Sequence, residues 1–401
     1  MAFPPSGEYL QSIRTSSRAL REAANILIEE HAIKRLLLSP AFTSSFKRVS
    51  AHHGLAMPLN FPSPGAELNL LSILSLLNFG SGYRAPLHAE TGRGAWDCMR
   101  AFAFSLYITS SVDEDDLLSA RGIQNISEAR VAELMRVNVH TEKPHETLQH
   151  VTIGELGGPM YDLVKLVCGV LNETGGILVN MGYPDLGMFV LEALKEGKKA
   201  ISDGNNHADV EVVLERLVRA FPAFQDMAVV EGQKIFCFKK ALFLIHAVSV
   251  RFGSADPALF PVPSTSHLPV FSDNVLPSLL IHLGVIDISG SPNLSTLFPH
   301  AGAPEQLAPL LATATVGTGD AKTLPKDGPV LSTNQAYILR AAAVDACELI
   351  TEIAHKLDEP SLDWLREIQL PSLDMWIWAV AKDRSDYRQL ERFVLRETVF
   401  F

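Results

Sequence analysis

Apolar residues recur every three or four positions along much of the chain, which is the spacing of one face of an α-helix. Between positions 207 and 221, apolar residues hold this spacing and charged residues fall on the opposite side. Residues 337–357 carry the same kind of stripe, and shorter stretches at 127–135 and 160–171 show it too. The pattern predicts an α-helix at each of these places.

The densest apolar run, residues 68–79, reads LNLLSILSLLNF. A helix that crosses a bilayer needs about 20 apolar residues, and this run is much shorter. We therefore expect a buried helix here, and no membrane partner.

Strand signals are few. The strongest is the segment 227–238, where two short β-prone runs flank Glu231 and Gly232, and this predicts one small hairpin. The fold class predicted from these patterns is mainly α, a helical bundle with at most a small β-hairpin.

Two stretches have the composition of loops. The first is 58–65, which is rich in proline, and the second is 302–333, which combines Ala, Gly, Thr and Pro with the turn signals GTGD and KDGP. We expect the second to be a surface loop insertion.

The chain shows no repeat and is long enough for one large domain, 1–401, with an N-terminal lobe of about 1–150 and a C-terminal lobe of about 151–401.

The charge balance favours a small partner. The chain has 34 basic and 45 acidic residues, a net charge of −11, whereas proteins that bind nucleic acids neutralise phosphates with clustered Lys and Arg. The densest basic spot, 195–199, fits a solvated helix end. We expect a small-molecule substrate, no direct contact with a nucleic-acid polymer, and leave the oligomeric state open.

Cysteine usage points to a reducing compartment. Four cysteines are widely separated and form no CxxC pair, so we expect reduced core residues; they are Cys98, Cys168, Cys237 and Cys347. The first ten residues lack a basic segment followed by an apolar one, as a secretory signal would have. Both observations predict a cytoplasmic protein.

Metal and cofactor motifs are not found. The HETLQH segment, 145–150, places its histidines five residues apart, about 140° around a helix, so they would not share a face. His52 and His53 are adjacent, which favours a single functional histidine or a loop. No phosphate loop or dinucleotide fingerprint occurs. We predict neither a metal nor a cofactor.

Several segments, read in order, carry a specific resemblance. They are LNETGGILVN (171–180), 214–241 with FPAFQDMAVVEGQKIFCFKKA, LPVFSDNVLPSLLIHLGVIDIS (268–289), ILRAAAVDACELI (338–350) and LPSLDMWIWAVAKD (370–383), with looser matches at LLNFGSGYR and GRGAW. This ordered set, which extends from about residue 53 to the end, resembles the queuosine salvage protein family, the queuosine 5′-phosphate N-glycosylase/hydrolases.

The resemblance implies a helical fold similar to helix-hairpin-helix DNA glycosylases. It also implies an enzyme that removes queuine from queuosine 5′-monophosphate, so that the base can be salvaged for tRNA modification. The low basic charge suits a mononucleotide better than intact tRNA.

The resemblance also assigns catalytic residues. Asp273, in FSDNVLP, matches the family's catalytic aspartate, and Lys239, in FKKA, matches its functional lysine. From the residues alone, a helix cap is the favoured interpretation of Asp273, and the match to the family reverses that preference. Lys239 could be a surface lysine at a helix start, and its neighbour Lys240 is the less favoured candidate.

Substrate contacts follow from the same matches. Asp374 corresponds to a base-contacting aspartate and Trp378 to the tryptophan beside it, although Trp376 and Trp378 are too close in sequence to share one helix face. The full substrate-binding set that the resemblance implies is His53, Asp374, Trp378, Asn78, Phe79, Phe271 and Trp96.

The chain departs from the family pattern at Ala247, Met375 and Ala379, and Arg396 is the remnant of a basic C-terminal motif. These departures affect base recognition more than catalysis. Two alternatives therefore stay open: a hydrolase of another modified nucleoside or nucleotide, and a non-catalytic protein that binds a nucleotide or base on the same fold.

Overall fold

A computed structural model describes residues 2–50, 55, 57–110, 116–145, 147–148, 150–201, 208–313 and 325–401. Over these residues the chain is mainly α-helical, as predicted. The α-helices are α1 (Tyr9–Ala23), α2 (Glu30–Leu37), α3 (Pro40–Thr43), α4 (Phe46–Val49), α5 (Pro64–Leu76), α6 (Arg84–Thr91), α7 (Ala95–Thr109), α8 (Ala120–Asn125), α9 (Glu128–Met135), α10 (Gly158–Met181), α11 (Leu186–Ile201), α12 (Ala208–Ala220), α13 (Lys239–Phe252), α14 (Val275–His282), α15 (Pro304–Leu311), α16 (Thr333–Lys356), α17 (Leu370–Asp383) and α18 (Ser385–Gln389).

Three short 3-10 helices, Ser81–Tyr83, Pro222–Phe224 and Pro360–Glu367, complete the helical part of the described residues. Within those residues, no helix combines the length and the apolar character that a bilayer crossing requires.

Each predicted helix forms. The stripe at 207–221 corresponds to α12, and the one at 337–357 corresponds to α16. Helix α16 starts earlier than predicted, at Thr333, because the N-cap residue Ser332 forms a capping box with Gln335 in the first turn. The stretches at 127–135 and 160–171 are α9 and the first half of α10. Their apolar stripes face the core, which is why the spacing identified them.

The apolar run at 68–79 is a buried helix, with two corrections to its bounds. Helix α5 begins at Pro64, inside the predicted loop 58–65, and ends at Leu76. The Ser63 hydroxyl accepts a hydrogen bond from the backbone N–H of Ala66 and so caps the helix start. All residues from Leu68 to Leu76 are buried, and the chain then turns sharply at 78–83.

Strand content exceeds the prediction. The expected hairpin is present as β3 (Met227–Val230) and β4 (Gln233–Phe236), but the limit of one hairpin was wrong. A second antiparallel pair joins β1 (His140–Pro144) to β2 (Thr152–Leu156), and β5 (Asp327–Val330) runs parallel to β6 (Arg392–Val394). Strands β1 and β2 are exposed on nearly every residue, so they lack the alternation that marks a half-buried strand.

The predicted loop insertion at 302–333 is wrong in part. It contains α15, whose Leu307 and Leu310 are buried, and the strand β5; residues 314–324 lie outside the described part. Strand β5 pairs with a segment more than sixty positions later, and local composition cannot reveal such a partner.

The four cysteines are buried and none forms a disulfide, as predicted. The histidines of HETLQH lie in the turn between β1 and β2 rather than on a helix, with Glu146 and Gln149 outside the described residues.

Candidate active site

A chamber of about 420 Å³ opens where the turn after α5 meets the first turns of α7 and α13, the segment before α14, and α17. This volume is typical of a small-molecule site. The residues that line it are Asn78, Phe79, Ser81, Arg84, His88, Gly92, Arg93, Gly94, Ala95, Trp96, Asp97, Lys239, Asp273, Asn274, Val275, Pro325, Trp378, Ala381, Lys382, Arg388, Arg392 and Phe401.

A small inner pocket of about 30 Å³ adjoins the chamber. Its deeper walls are Phe243, Phe271, Leu276, Asp374 and Met375, and five residues line both spaces: Asn78, Trp96, Lys239, Asp273 and Trp378. The boundary between the two spaces therefore carries the carboxylate and the ammonium to which the resemblance assigns catalysis.

Asp273 lies in the extended segment ahead of α14 and is 7% exposed. Its Oδ1 accepts a hydrogen bond of 2.6 Å from the N–H of Val275, the first residue of the helix. The expected N-cap role is nevertheless wrong, because the N-cap residue of α14 is Asn274 and Asp273 lies one position before it. None of the described residues donates a hydrogen bond to Oδ2, and the side chain lines the chamber. One oxygen fixes the carboxylate, which leaves the other available to a ligand.

Lys239 is the first residue of α13 and is buried, not a surface lysine. Its Nζ donates to the backbone oxygen of Asn78 at 2.7 Å and to its Oδ1 at 3.0 Å. Burial lowers the pKa of Lys239 to about 8, and the nearby charge of Asp273 offsets part of that effect. An ammonium has three donors, so one remains for a ligand.

The neighbouring Lys240 is excluded from the chamber. It is buried, its Nζ donates to the backbone oxygen of Leu76 at 2.8 Å, and it lies over the Phe79 ring. Successive helix residues point about 100° apart, and this rotation turns Lys240 into the core while Lys239 faces the chamber.

Asp374 is the acid of the inner pocket. Burial raises its pKa to about 7, although the N–H of Phe271, which donates to Oδ2 at 2.7 Å, lowers it. A carboxyl group with this pKa is partly protonated near neutrality, so it can donate a proton as well as accept a hydrogen bond.

Four aromatic side chains surround the inner pocket. The Trp96 ring meets Trp378 edge-on at 6.1 Å and Phe243 at 5.4 Å between centroids, and Phe243 meets Phe271 at 6.1 Å. Such walls bury the face of a planar ligand. Trp376, as expected from its spacing, faces away: it is fully buried, and its Nε1 donates to Ser45 Oγ.

One side of the chamber is cationic, which the sequence did not predict. Its basic residues are Arg84, His88, Arg93, Lys382, Arg388 and Arg392, against Asp97 on the same side. Arg84 is 8% exposed, and its buried Nη1 has no hydrogen-bond partner among the described residues. Burial lowers the pKa of Arg84 to about 9 and that of Arg392 to about 10.

Of the predicted site residues, all but His53 line one or both spaces; His53 lies outside the described residues. Among the departures, Met375 lines the inner pocket, whereas Ala247 is buried in the core. Arg396 donates to the backbone oxygen of Gly82; the basic residues among the described C-terminal positions 382–401 that line the chamber are Lys382, Arg388 and Arg392.

Comparisons with known proteins converge on one family. A family model described as queuosine salvage protein matches residues 102–297, a span that includes Lys239 and Asp273 and ends before Asp374. A queuosine 5′-phosphate N-glycosylase/hydrolase from Mus musculus is 25% identical over 218 residues, covering 54% of this chain and 52% of the relative.

Two more proteins with that name match shorter segments. The one from Bos taurus is 26% identical over 145 residues, 36% of this chain and 38% of the relative, and the one from Sphaerobacter thermophilus is 26% identical over 117 residues, 29% and 32%. The chain spans about half the length of the mouse relative and about a third of the other two. Over the segments that these matches cover, the chain is similar to the queuosine salvage proteins.

Proposed function

We propose that the protein is an N-glycosyl hydrolase that releases queuine from queuosine 5′-monophosphate. The observation that carries this proposal is that Asp273 and Lys239 both line the boundary between a nucleotide-sized chamber and an aromatic pocket. We propose a cytoplasmic setting and a mononucleotide rather than a tRNA substrate, in keeping with the net charge of −11.

Asp273 acts on the ribose. Departure of the base leaves positive charge on the anomeric carbon, and a carboxylate beside that carbon stabilises the charge. The Asp273 carboxylate either attacks this carbon or takes a proton from the water that does so. The Val275 N–H holds Oδ1, so Oδ2 is the oxygen that meets the sugar or the water.

Lys239 orients the ribose. Asn78 occupies two of its donors, and the third reaches a ribose hydroxyl. A pKa of about 8 keeps the ammonium largely charged at neutral pH.

Asp374 assists the leaving base. Queuine is a 7-deazaguanine, so it lacks the ring nitrogen N7 that could otherwise take up a proton, and its polar edge must be protonated instead. Asp374 has a pKa of about 7 and can donate that proton as the glycosidic bond breaks. Trp378 and Trp96 then provide the aromatic wall for the base.

The cationic side of the chamber binds the 5′-phosphate. The side chains of Arg84 and Arg392 both line the chamber. Guanidinium groups pair with phosphate oxygens through directed hydrogen bonds. This supports a nucleotide rather than an uncharged nucleoside.

The proposal predicts that purified protein releases queuine from queuosine 5′-monophosphate and that Asp273→Asn lowers kcat by at least about a hundredfold, by loss of charge stabilisation. Asp287→Asn is the matched control, because Asp287 also accepts a hydrogen bond from the N–H two residues later, at Ser289, but lies on the exposed surface. Chromatographic measurement of free queuine checks both variants. No release by the wild-type protein, or full activity of Asp273→Asn, would contradict the proposal.

A second candidate is a hydrolase of a nucleotide with a smaller base. The inner pocket holds only about 30 Å³, and Met375 forms part of its wall. Rates of base release from the 5′-monophosphates of queuosine, guanosine and 7-deazaguanosine separate the two. Faster release of the unsubstituted bases would favour this candidate. Tight binding of each nucleotide without any release would indicate a binding protein instead.

A further inference from the structure

Arg340, in the first half of α16, is fully buried and does not line the chamber. Its guanidinium nevertheless contacts three separate segments that each carry a chamber residue. Buried guanidinium groups are costly unless every donor is paired, and here the donors are distributed between an aspartate and a backbone carbonyl.

The first connection leads to Lys239. Arg340 Nη1 donates to Asp226 Oδ1 at 2.9 Å and Nη2 to Oδ2 at 2.5 Å, and the Tyr337 hydroxyl also donates to Oδ1. The same Oδ2 accepts the backbone N–H of Lys239, and the backbone oxygen of Asp226 accepts the N–H groups of Cys237 and Phe238. Asp226 therefore fixes the start of α13.

The second connection leads to Asp273. Arg340 Nε donates to the backbone oxygen of Ser272 at 2.9 Å, and the Ser272 hydroxyl donates back to the oxygen of Arg340 at 3.1 Å. Ser272 immediately precedes Asp273. The reciprocal pair holds the backbone that orients the carboxylate.

The third connection leads to Asn78. The guanidinium carbon of Arg340 lies 4.3 Å from the centroid of the Phe401 ring, and the oxygen of Phe401 accepts the N–H of Gly80. This ties the turn that carries Asn78, the partner of Lys239, to the same guanidinium.

We infer that Arg340, held by Asp226, is a positioning residue that sets the distance and orientation between Lys239 and Asp273. This inference rests on the proposed hydrolysis. Only a planar guanidinium can bind both carboxylate oxygens and a carbonyl at once; a lysine keeps the charge but not this geometry. Small displacements of catalytic groups reduce rates steeply.

The test is Arg340→Lys, compared with Arg21→Lys. Arg21 also pairs with an aspartate of α16, Asp345, and donates to a backbone oxygen, but does so away from the chamber. We expect Arg340→Lys to lower kcat for queuosine 5′-monophosphate by about a hundredfold with KM within a few-fold, and Arg21→Lys to leave both unchanged. Equal kcat values for Arg340→Lys and wild type would overturn the inference.

Tyr337→Phe provides a milder variant in case Arg340→Lys does not fold. It removes only the hydroxyl bond to Asp226, so we expect a folded protein with a smaller loss in kcat. If the folded Tyr337→Phe protein keeps wild-type kcat while Arg340→Lys does not fold, the inference is wrong.

The pKa of Lys239 provides a measurement that distinguishes a positioning role of Arg340 from a general loss of stability. Arg340 lowers and Asp226 raises the pKa of Lys239, so NMR titration of labelled lysine should show a higher Lys239 pKa in Arg340→Gln and a lower one in Asp226→Asn. A loss of fold alone would not give opposite shifts, and identical pKa values in both variants would contradict the inference. An inactive wild-type protein would refute the proposed hydrolysis, whereas the titration would still report whether the network acts on Lys239.

Discussion

At the scale of single residues, the site holds two carboxyl groups in different surroundings. Asp273 lies ahead of α14 beside the open chamber, where its Oδ1 accepts the N–H of Val275, whereas Asp374 is enclosed with aromatic side chains and has a pKa of about 7. With its raised pKa, Asp374 can act as a proton donor, while the proposed role of Asp273 is to act on the ribose. The same division of labour suits a glycosidic bond with a poor leaving base.

This division predicts the pH dependence of catalysis. If protonated Asp374 assists the base, kcat should fall as the pH rises through about 7, and Asp374→Asn should lower kcat and abolish that decline. The measurement is kcat between pH 5 and pH 9 for both proteins. A wild-type profile that stays flat from pH 6 to pH 8 would exclude the proton transfer.

Asp374 should also affect stability with a defined sign. Its folded-state pKa of about 7 lies above the ordinary value of 3.8, so the protonated group stabilises the fold fully below about pH 4, and that contribution disappears as the pH rises through about 7. At pH 8 the wild type holds a buried charge that Asp374→Asn lacks. We expect a higher Tm for Asp374→Asn at pH 8 than for wild type, with the difference shrinking at pH 5. A lower Tm for the variant at pH 8 would contradict this sign.

At the scale of elements, the site is assembled from the ends of helices. Lys239 begins α13 and Asp273 precedes α14, while the turn after α5 lies against the segment that follows β6. That turn passes so near the backbone of Leu395 that a Cβ at Gly82 would overlap its carbonyl. Glycine is needed there for close approach rather than for its backbone angles.

Gly82→Ala should therefore destabilise the protein by about 1–3 kcal/mol, as overpacking does, and lower activity by displacing Asn78. Gly169→Ala is the control, because Gly169 lies within α10 with open space around its Cα and should gain about 0.4–1 kcal/mol. Urea unfolding of both variants checks the contrast. Equal midpoints would show that the turn tolerates a side chain.

Five of the described helices, α5, α9, α10, α12 and α16, could be predicted from the sequence, because their apolar residues form a dense run or recur at helical spacing. Strand β5 and the closeness of residue 82 to residue 395 could not, since both depend on contacts between distant segments. Asp273 and Lys239 were identified by their match to a family. Spacing alone would have left Asp273 as a helix cap, whereas the N-cap residue of α14 is Asn274.

At the scale of the whole molecule, the local charge on one side of the chamber is opposite in sign to the net charge of the chain. The chain carries a net charge of −11, yet one side of its chamber gathers basic residues that lie between positions 84 and 392. Composition averages over the surface and gives no sign of such local clustering, which is why the cationic side was missed. The predicted likeness to helix-hairpin-helix DNA glycosylases and the two-lobe division stay predictions.

The most direct test of the central claim is a crystal structure of Asp273→Asn with queuosine 5′-monophosphate. We expect the anomeric carbon beside residue 273, the base against Trp378 and Asp374, and the phosphate on Arg84 and Arg392. A nucleotide bound outside this chamber, or bound with its glycosidic bond far from residue 273, would contradict the account.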